Sequence, residues 1–307
     1  LPLILTQNYP CFEVVVVNDG STDETQQLLL DFQEEHAILH IINREQSKSG
    51  QLGKKFALTD GIHAASHDVL LLTDADCTPR NNDWLRSMQS FLTEKKSIVL
   101  GYSPYLKEKT FLNLFIRYET VWTAIQYLSF AIWGHPYMGV GRNMMYRKSL
   151  FYKAGGFQSH EHIASGDDDL FINAIAHLNN TTVNIDETSF VYSAPKRTWR
   201  AWYRQKTRHY STSTSYRPKH QVLLGLLSLS HFGHLLLGTL LIFLGYFPMV
   251  FIGYIIRISI ILLVSRYILR KLEETDLWVW FPVLDIAMVW YYIVFAPILF
   301  FGSKRHW

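Results

Sequence analysis

Cysteine is nearly absent: only Cys11 and Cys77 occur in 307 residues. A disulfide framework is thereby excluded, and a reduced, cytosol-facing location fits this usage. Charge is also scarce, at 18% against about 25% in an average soluble domain, whereas hydrophobic residues reach 49%. With no internal repeat, this composition excludes collagen-like and intrinsically disordered chains. The formal net charge of +3, with no long basic tail and no zinc-ligand Cys/His spacing, gives no support to a nucleic-acid partner. An initiator methionine is missing too. Leu1 opens in what reads as a helix-to-strand connection, so the expectation is a fragment without its leading strand and without a readable signal peptide.

What is present is unevenly placed. Residues 1–221 have the mixed charge of a globular domain, and residues 222–307 are dominated by Leu, Ile, Phe, Val, Trp and Tyr. This division into two domains agrees with a prior of roughly one unit per 150 residues. Three apolar segments, about Val222 to Tyr246, Phe247 to Ile268 and Trp278 to Phe301, are each long enough to cross a bilayer core, which takes about 20 residues. Lys196, Arg197, Arg200, Arg204, Lys206, Arg208, Arg217 and Lys219 cluster just before them. That juxtamembrane pattern points to membrane lipids as partners and places this side in the cytoplasm. Three spans would carry Lys304 and Arg305 to the far side, against the same rule. Arg257 inside the second span is expected to snorkel or to pair with a neighbouring helix.

In the first part, strands and helices alternate. Glu13 to Asn18, Ile38 to Ile42, Val69 to Thr73 and Ile98 to Tyr102 read as buried strands. Helices are expected after Ser21, with Glu24 completing a capping box, and over Lys54 to Ala65, Trp84 to Thr93, Asp168 to Leu178 and Thr198 to Arg208. A polar loop is expected from Asn43 to Gly53. The long segment Phe111 to Trp133, interrupted by Arg117 and Glu119, reads as a buried or membrane-surface helix. Alternation of this kind is the βαβ pattern, with ligands at the carboxyl ends of the strands.

Carboxylates fall at those ends. Asp19-Gly20-Ser21 follows the first strand; it suits a nucleobase or ribose contact, and equally a plain turn. Asp74-Ala75-Asp76 follows another, where one carboxylate can meet a ribose and the other a divalent cation; hard oxygen ligands suit Mg²⁺ or Mn²⁺. Gly166-Asp167-Asp168-Asp169-Leu170 puts three carboxylates at a helix start. Capping accounts for one or two of them, and Asp167 or Asp168 is left as a general base. Gln205-Lys206-Thr207-Arg208-His209 on a basic helix can stabilise a departing diphosphate or bind anionic lipid headgroups. His160, Glu161 and His162 read as surface loop, and His231 and His234 as a helix face.

In this order and spacing the motifs resemble the membrane-bound family-2 glycosyltransferases, a GT-A family that includes the processive synthases of cellulose, chitin and hyaluronan. The resemblance covers about Leu1 to Tyr210. It implies an α/β fold with a Rossmann-like mixed sheet, an N-terminally truncated GT-A domain, and C-terminal transmembrane helices in a bacterial inner or plasma membrane. By the same resemblance Asp19 contacts the base and Lys54, in Gly53 to Leu58, lines the donor site. Asp74 and Asp76 hold ribose and metal-diphosphate, and Arg142, in Gly139 to Asn143, lies near sugar and acceptor. Gln205, Lys206 and His209 belong to the acceptor and diphosphate region, with Arg208 on the donor. The family's QxxRW motif ends here in His209, which points to single addition over processive synthesis.

The expected activity is inverting transfer of a sugar from a nucleotide-diphosphate donor to the hydroxyl of a glycan or lipid-linked acceptor. A non-catalytic membrane scaffold and a metal-dependent phosphohydrolase are the rivals. A dinucleotide-binding oxidoreductase is disfavoured, because Gly139 and Gly141 lack a third glycine.

Overall fold

A computed structural model describes residues 1–44, 53–163 and 165–301. Most of the loop expected from Asn43 to Gly53 lies outside the described residues, as do Lys304 and Arg305. The chain divides into two compact units. One holds Leu1–Ser103 and Tyr127–Ala194; the other holds Pro104–Gln126 and the described residues from Pro195 onward.

The first unit begins with α1 (Pro2–Leu5), β1 (Val14–Asn18), α2 (Thr25–Glu35), β2 (Leu39–Asn43), α3 (Lys54–Ala64), β3 (Val69–Leu72), β4 (Cys77–Pro79), α4 (Trp84–Ser90) and β5 (Ile98–Gly101). Helix α5 (Phe111–Ile132) runs across the division. The first unit then continues with β6 (Met144–Arg147), α6 (Lys148–Lys153), α7 (Asp169–Ile175), β7 (Thr181–Asn184) and β8 (Val191–Ser193).

β1 and β2 pair in parallel, Val14 opposite Leu39 through Asn18 opposite Asn43. A four-stranded sheet runs in the order β3-β6-β5-β7, and β4 pairs with β8. In the four-stranded sheet only β5 and β7 are parallel; β6 is antiparallel to both its neighbours. The sheet is therefore mixed, because β6, which no alternation pattern announced, inserts between β3 and β5. Its Met144, Met145 and Tyr146 are buried on both faces, and Met145 joins Cys77, Trp84, Met88, Val99 and Val191 in one core. Each such side chain contributes about 1.5–3 kcal/mol.

Two local expectations are corrected. The Ser21–Glu24 capping box does not form. Helix α2 starts at Thr25 with Glu24 as an N-cap that makes no side-chain bond, and the Ser21 N–H goes instead to Asn18 Oδ1 at 3.0 Å. His160 is not on a surface loop but buried, packed edge-on to Phe157 with Nδ1 2.9 Å from Ser159 Oγ.

The second unit contains the first part of α5 with α8 (Trp199–Ser213), α9 (Pro218–Phe243), α10 (Phe247–Lys271) and α11 (Leu277–Phe301). Thr198 caps α8, its Oγ1 accepting the Ala201 N–H. Three helices, Pro218–Phe243, Phe247–Lys271 and Leu277–Ile298, are long and apolar enough to cross a membrane. At about 1.5 Å per residue each exceeds a hydrocarbon core of about 30 Å. Gly245, at φ 88°, makes the tight turn between the first two.

Several charges within this unit are paired. Arg257 has its partner on a neighbouring helix: Nη1 and Nη2 donate to Asp285 at 2.6 and 3.2 Å, and His231 Nε2 lies 3.0 Å from the same carboxylate. On α5, Arg117 pairs with Glu274 and, at 2.6 Å, with Asp276. Glu119 pairs with Lys206 and accepts from the Tyr291 hydroxyl at 3.2 Å. The two charges that interrupt this apolar segment are thus each held by a counter-charge.

Candidate active site

In the first unit the acidic motifs converge on Lys54, the first residue of α3. Gly53 precedes it as an N-cap at φ 139°. Lys54 Nζ lies 2.8 Å from Asp74 Oδ1 and 2.9 Å from Asp167 Oδ2. One ammonium thus joins the Asp74-Ala75-Asp76 turn after β3 to the acidic run before α7, across 93 residues of sequence. Burial opposes that charge, but Asp167, Asp74 and Asp168 together raise Lys54 above the ordinary lysine range.

The neighbouring carboxylates are held differently. Asp168 spends both oxygens on backbone: Oδ1 accepts the Asp169 N–H at 2.7 Å as the N-cap of α7, and Oδ2 accepts the Gly141 N–H at 2.8 Å. A Cβ at position 141 would come within 3.3 Å of Asp168 and 3.4 Å of Lys54 Nζ, so glycine permits this approach. Burial, reinforced by Asp167 and Asp169, pushes Asp168 up to about 7 against Lys54 and the Gly141 N–H. Asp167, also buried, meets Lys54 through its side chain.

Asp74, Asp76 and Cys77 bring ligand atoms within 4.8 Å of one another. The two carboxylates, half-buried and exposed, suit a hard divalent cation. The thiol does not complete the set. Cys77 Sγ lies 3.0 Å from Ser193 Oγ, and burial raises its pKa although Ser193 and Arg142 oppose this. Arg142 Nη1 donates to the same Ser193 Oγ at 3.0 Å and Nη2 to the Ser103 carbonyl at 3.2 Å. Ser193 Oγ thus links the Arg142 guanidinium to Cys77, the residue that follows the acidic pair.

Asp19, at the end of β1, is bound to Arg44 at 2.6 Å, and Arg44 Nε reaches Asp60 of α3 at 2.7 Å. The sequence reading missed Arg44. Its only signal was a cation just after the second strand. Lys55 belongs to the segment Gly53 to Leu58 expected to line the donor site; its buried Nζ donates to the carbonyls of His160 at 2.6 Å and Ile163 at 2.8 Å, tying α3 to the segment before the acidic run. Burial lowers Lys55 to about 8 despite Asp167, Asp169 and Glu161. Asn143 has a packing role. It is fully buried, donating to the Tyr102 and Ser189 carbonyls and accepting from Trp84 Nε1.

The pattern of Glycosyl transferase family 2 matches residues 3–155, which include Asp19, Lys54, Asp74, Asp76 and Arg142. The chain belongs to the family-2 glycosyltransferases. The probable glycosyltransferase YdaM of Bacillus subtilis is 27% identical over 203 residues, which cover 64% of this chain and 46% of that protein. Poly-beta-1,6-N-acetyl-D-glucosamine synthase of Staphylococcus epidermidis is 27% identical over 113 residues, 36% of this chain and 26% of that one. The chain thus spans less than half the length of these curated relatives. Among solved structures, TarS of Staphylococcus aureus aligns with 74% of this chain and 39% of its own at a TM-score of 0.47 and 19% identity.

The remaining site candidates of this glycosyltransferase lie on α8 in the second unit. Gln205 Nε2 is 3.4 Å from the Tyr105 hydroxyl. Lys206 is buried on Glu119, so its charge is already offset there. Arg208 and His209 are exposed.

Proposed function

We propose that this family-2 glycosyltransferase transfers a sugar, with inversion, from a nucleotide-diphosphate donor to the hydroxyl of a glycan or lipid-linked acceptor. Residues 1–221 supply the chemistry, facing the cytoplasm, and residues 222–307 anchor it in a membrane. The single observation that carries this reading is the position of Lys54 between Asp74 and Asp167, which brings the donor motif and the acidic motif to one place.

Asp19 receives the base and Asp74 the ribose. Asp76 and Asp74 would hold Mg²⁺ or Mn²⁺, which when bound neutralises charge on the leaving diphosphate. Lys54 and Arg142 add fixed positive charge for the same anion. Asp167 is the general base, and Asp168, committed to two backbone N–H groups, positions it. The acceptor oxygen attacks the anomeric carbon, its proton passes to Asp167, and the bond to the diphosphate oxygen breaks with its electron pair leaving on that oxygen. One in-line displacement inverts the anomeric centre. His209, in place of a stacking tryptophan, favours single addition.

The test is a screen of full-length protein in membranes against a panel of nucleotide sugars, with product mass and anomeric configuration read afterwards. Transfer with inversion, lost in Asp76→Ala, is expected. Free phosphate without transfer would mark a phosphohydrolase, and absence of both turnover and metal-dependent nucleotide binding would mark a scaffold.

A further inference from the structure

Two neighbouring lysines open α3, and they take hold of one segment at two places. Successive helix positions diverge by about 100°. Lys54 therefore reaches Asp74 and Asp167, while Lys55 turns to the residues that lead into the acidic run. Its side chain is buried, and Nζ donates to the carbonyls of His160 at 2.6 Å and Ile163 at 2.8 Å. Burying an ammonium is costly unless it is hydrogen-bonded. Here two carbonyl oxygens take the charge, and Asp167, Asp169 and Glu161 favour it from nearby. Packing alone would be met by an uncharged side chain such as methionine, without that cost.

The anchor stands where the segment has little else to fix it. Phe157 packs on Phe151 and Phe171, which holds the start. Beyond it the backbone bonds are local, His160 N–H to the Phe157 carbonyl at 3.0 Å and Ile163 N–H to the His160 carbonyl at 3.1 Å. A cleft opens between α3 and the segment, lined by Phe56, Thr59 and His63 from the helix and by Phe157, Gln158 and Glu161 from the segment. Gly166, at φ 97°, then turns the chain into Asp167. On the other side, Asp168 is fixed by the Gly141 N–H and by capping α7. Asp167 thus hangs between two anchors, Lys55 before it and Asp168 after it.

We propose that Lys55 is a positioning residue for the transfer reaction: its two bonds hold the 160–163 turn against α3, and so keep Asp167 at the place beside Lys54 from which it takes the acceptor proton. The proposal rests on Asp167 being the general base.

The experiment is a double-mutant cycle on full-length protein in membranes, combining Lys55→Met with Asp167→Asn and using the nucleotide sugar of the panel that turns over fastest. Misplacing a reacting group by about 1 Å costs about 10²-fold, so Lys55→Met should lower kcat by about 10-fold to 10²-fold. The donor KM should stay within about twofold of the parent, because Lys55 acts on the base and not on the donor carboxylates. In the Asp167→Asn background the same change should cost less than about twofold, since its effect passes through that carboxylate. Lys55→Arg, which keeps the charge and the donors, should recover part of kcat. Position is read without turnover by carbodiimide coupling of glycinamide to Asp167, followed by peptide mass. Coupling should quicken at least about tenfold in Lys55→Met, the factor carried by one hydrogen bond to a charged group. An equal loss of kcat in both backgrounds would give Lys55 a structural role alone and overturn the proposal. So would unchanged coupling at Asp167 in Lys55→Met. If that variant does not fold, Lys55→Gln takes its place in the cycle, with the same outcomes. Full turnover in Asp167→Asn alone would instead overturn the base assignment, a separate readout in the same cycle.

Discussion

Lys54→Met would remove the cation that Asp74 and Asp167 share. The Asp167 side chain is only 9% exposed, so the variant strands a carboxylate with Asp168 and Asp169 beside it. Removing one partner of a fully buried pair costs about 3–5 kcal/mol. Lys54 is 45% exposed and Asp74 30%, and solvent screening reduces the figure to about 1–3 kcal/mol. At about 2–4 °C per kcal/mol for a unit of this size, the melting temperature should fall by about 2–12 °C near pH 8. The loss should depend on pH. Without Lys54 the acidic run binds protons more tightly folded than unfolded, and such a raised pKa gives stability that is present at low pH and lost as pH rises through the folded value. Asp168 stands at about 7 even with Lys54 in place, so the deficit should narrow near pH 5 and widen near pH 8. Thermal unfolding of the full chain followed by tryptophan fluorescence reads this, since Trp84 lies in the core of the same unit. Lys54→Arg, which keeps the charge, should recover most of the loss. A Met variant as stable as the parent, or an equal deficit at both pH values, would refute the reasoning.

Two further outcomes follow from the second unit. Burial would raise Asp276, but Arg117 and Lys107 outweigh it and hold the group at about 2. Its contribution should therefore be present above the unfolded value near about 4 and be lost as pH falls toward 2. Asp276→Asn should lower the melting temperature at neutral pH, and the difference should shrink as pH falls through about 2. Asp285→Leu should destabilise the helical region by about 1–3 kcal/mol, because Arg257 and His231 lose their shared partner inside apolar helices. The double variant with Arg257→Leu should regain most of that, measured by unfolding in nanodiscs.

How much of this was legible before the structure depended on the range of the interaction. Strands such as Val14–Asn18 and Val69–Leu72 announce themselves by apolar runs, although most of their residues are half-buried where full burial was expected, and the carboxylates that follow them stand where an α/β sheet opens to ligands. Lys54 was reached through resemblance; nothing local indicates that its ammonium joins carboxylates 20 and 113 residues away. Met144–Arg147 escaped notice because a short apolar stretch inside a loop carries no period of its own and is defined by its partners Val69–Leu72 and Ile98–Gly101. Asn143, Lys55 and Arg44 act through long-range hydrogen bonds, which composition and spacing do not encode. The pairing of Arg257 with Asp285 was half visible: the lone charge in an apolar segment called for a partner, and the partner's helix could not be read.

The central claim is that Asp167 removes the acceptor proton, with Asp168 holding it in place. Turnover of full-length protein in membranes, with Asp167→Asn compared against the parent at saturating donor and acceptor, tests it most directly. The account predicts that kcat falls by about 10²–10⁴ while metal-dependent binding of the nucleotide diphosphate is retained. Turnover within a few-fold of the parent would contradict it.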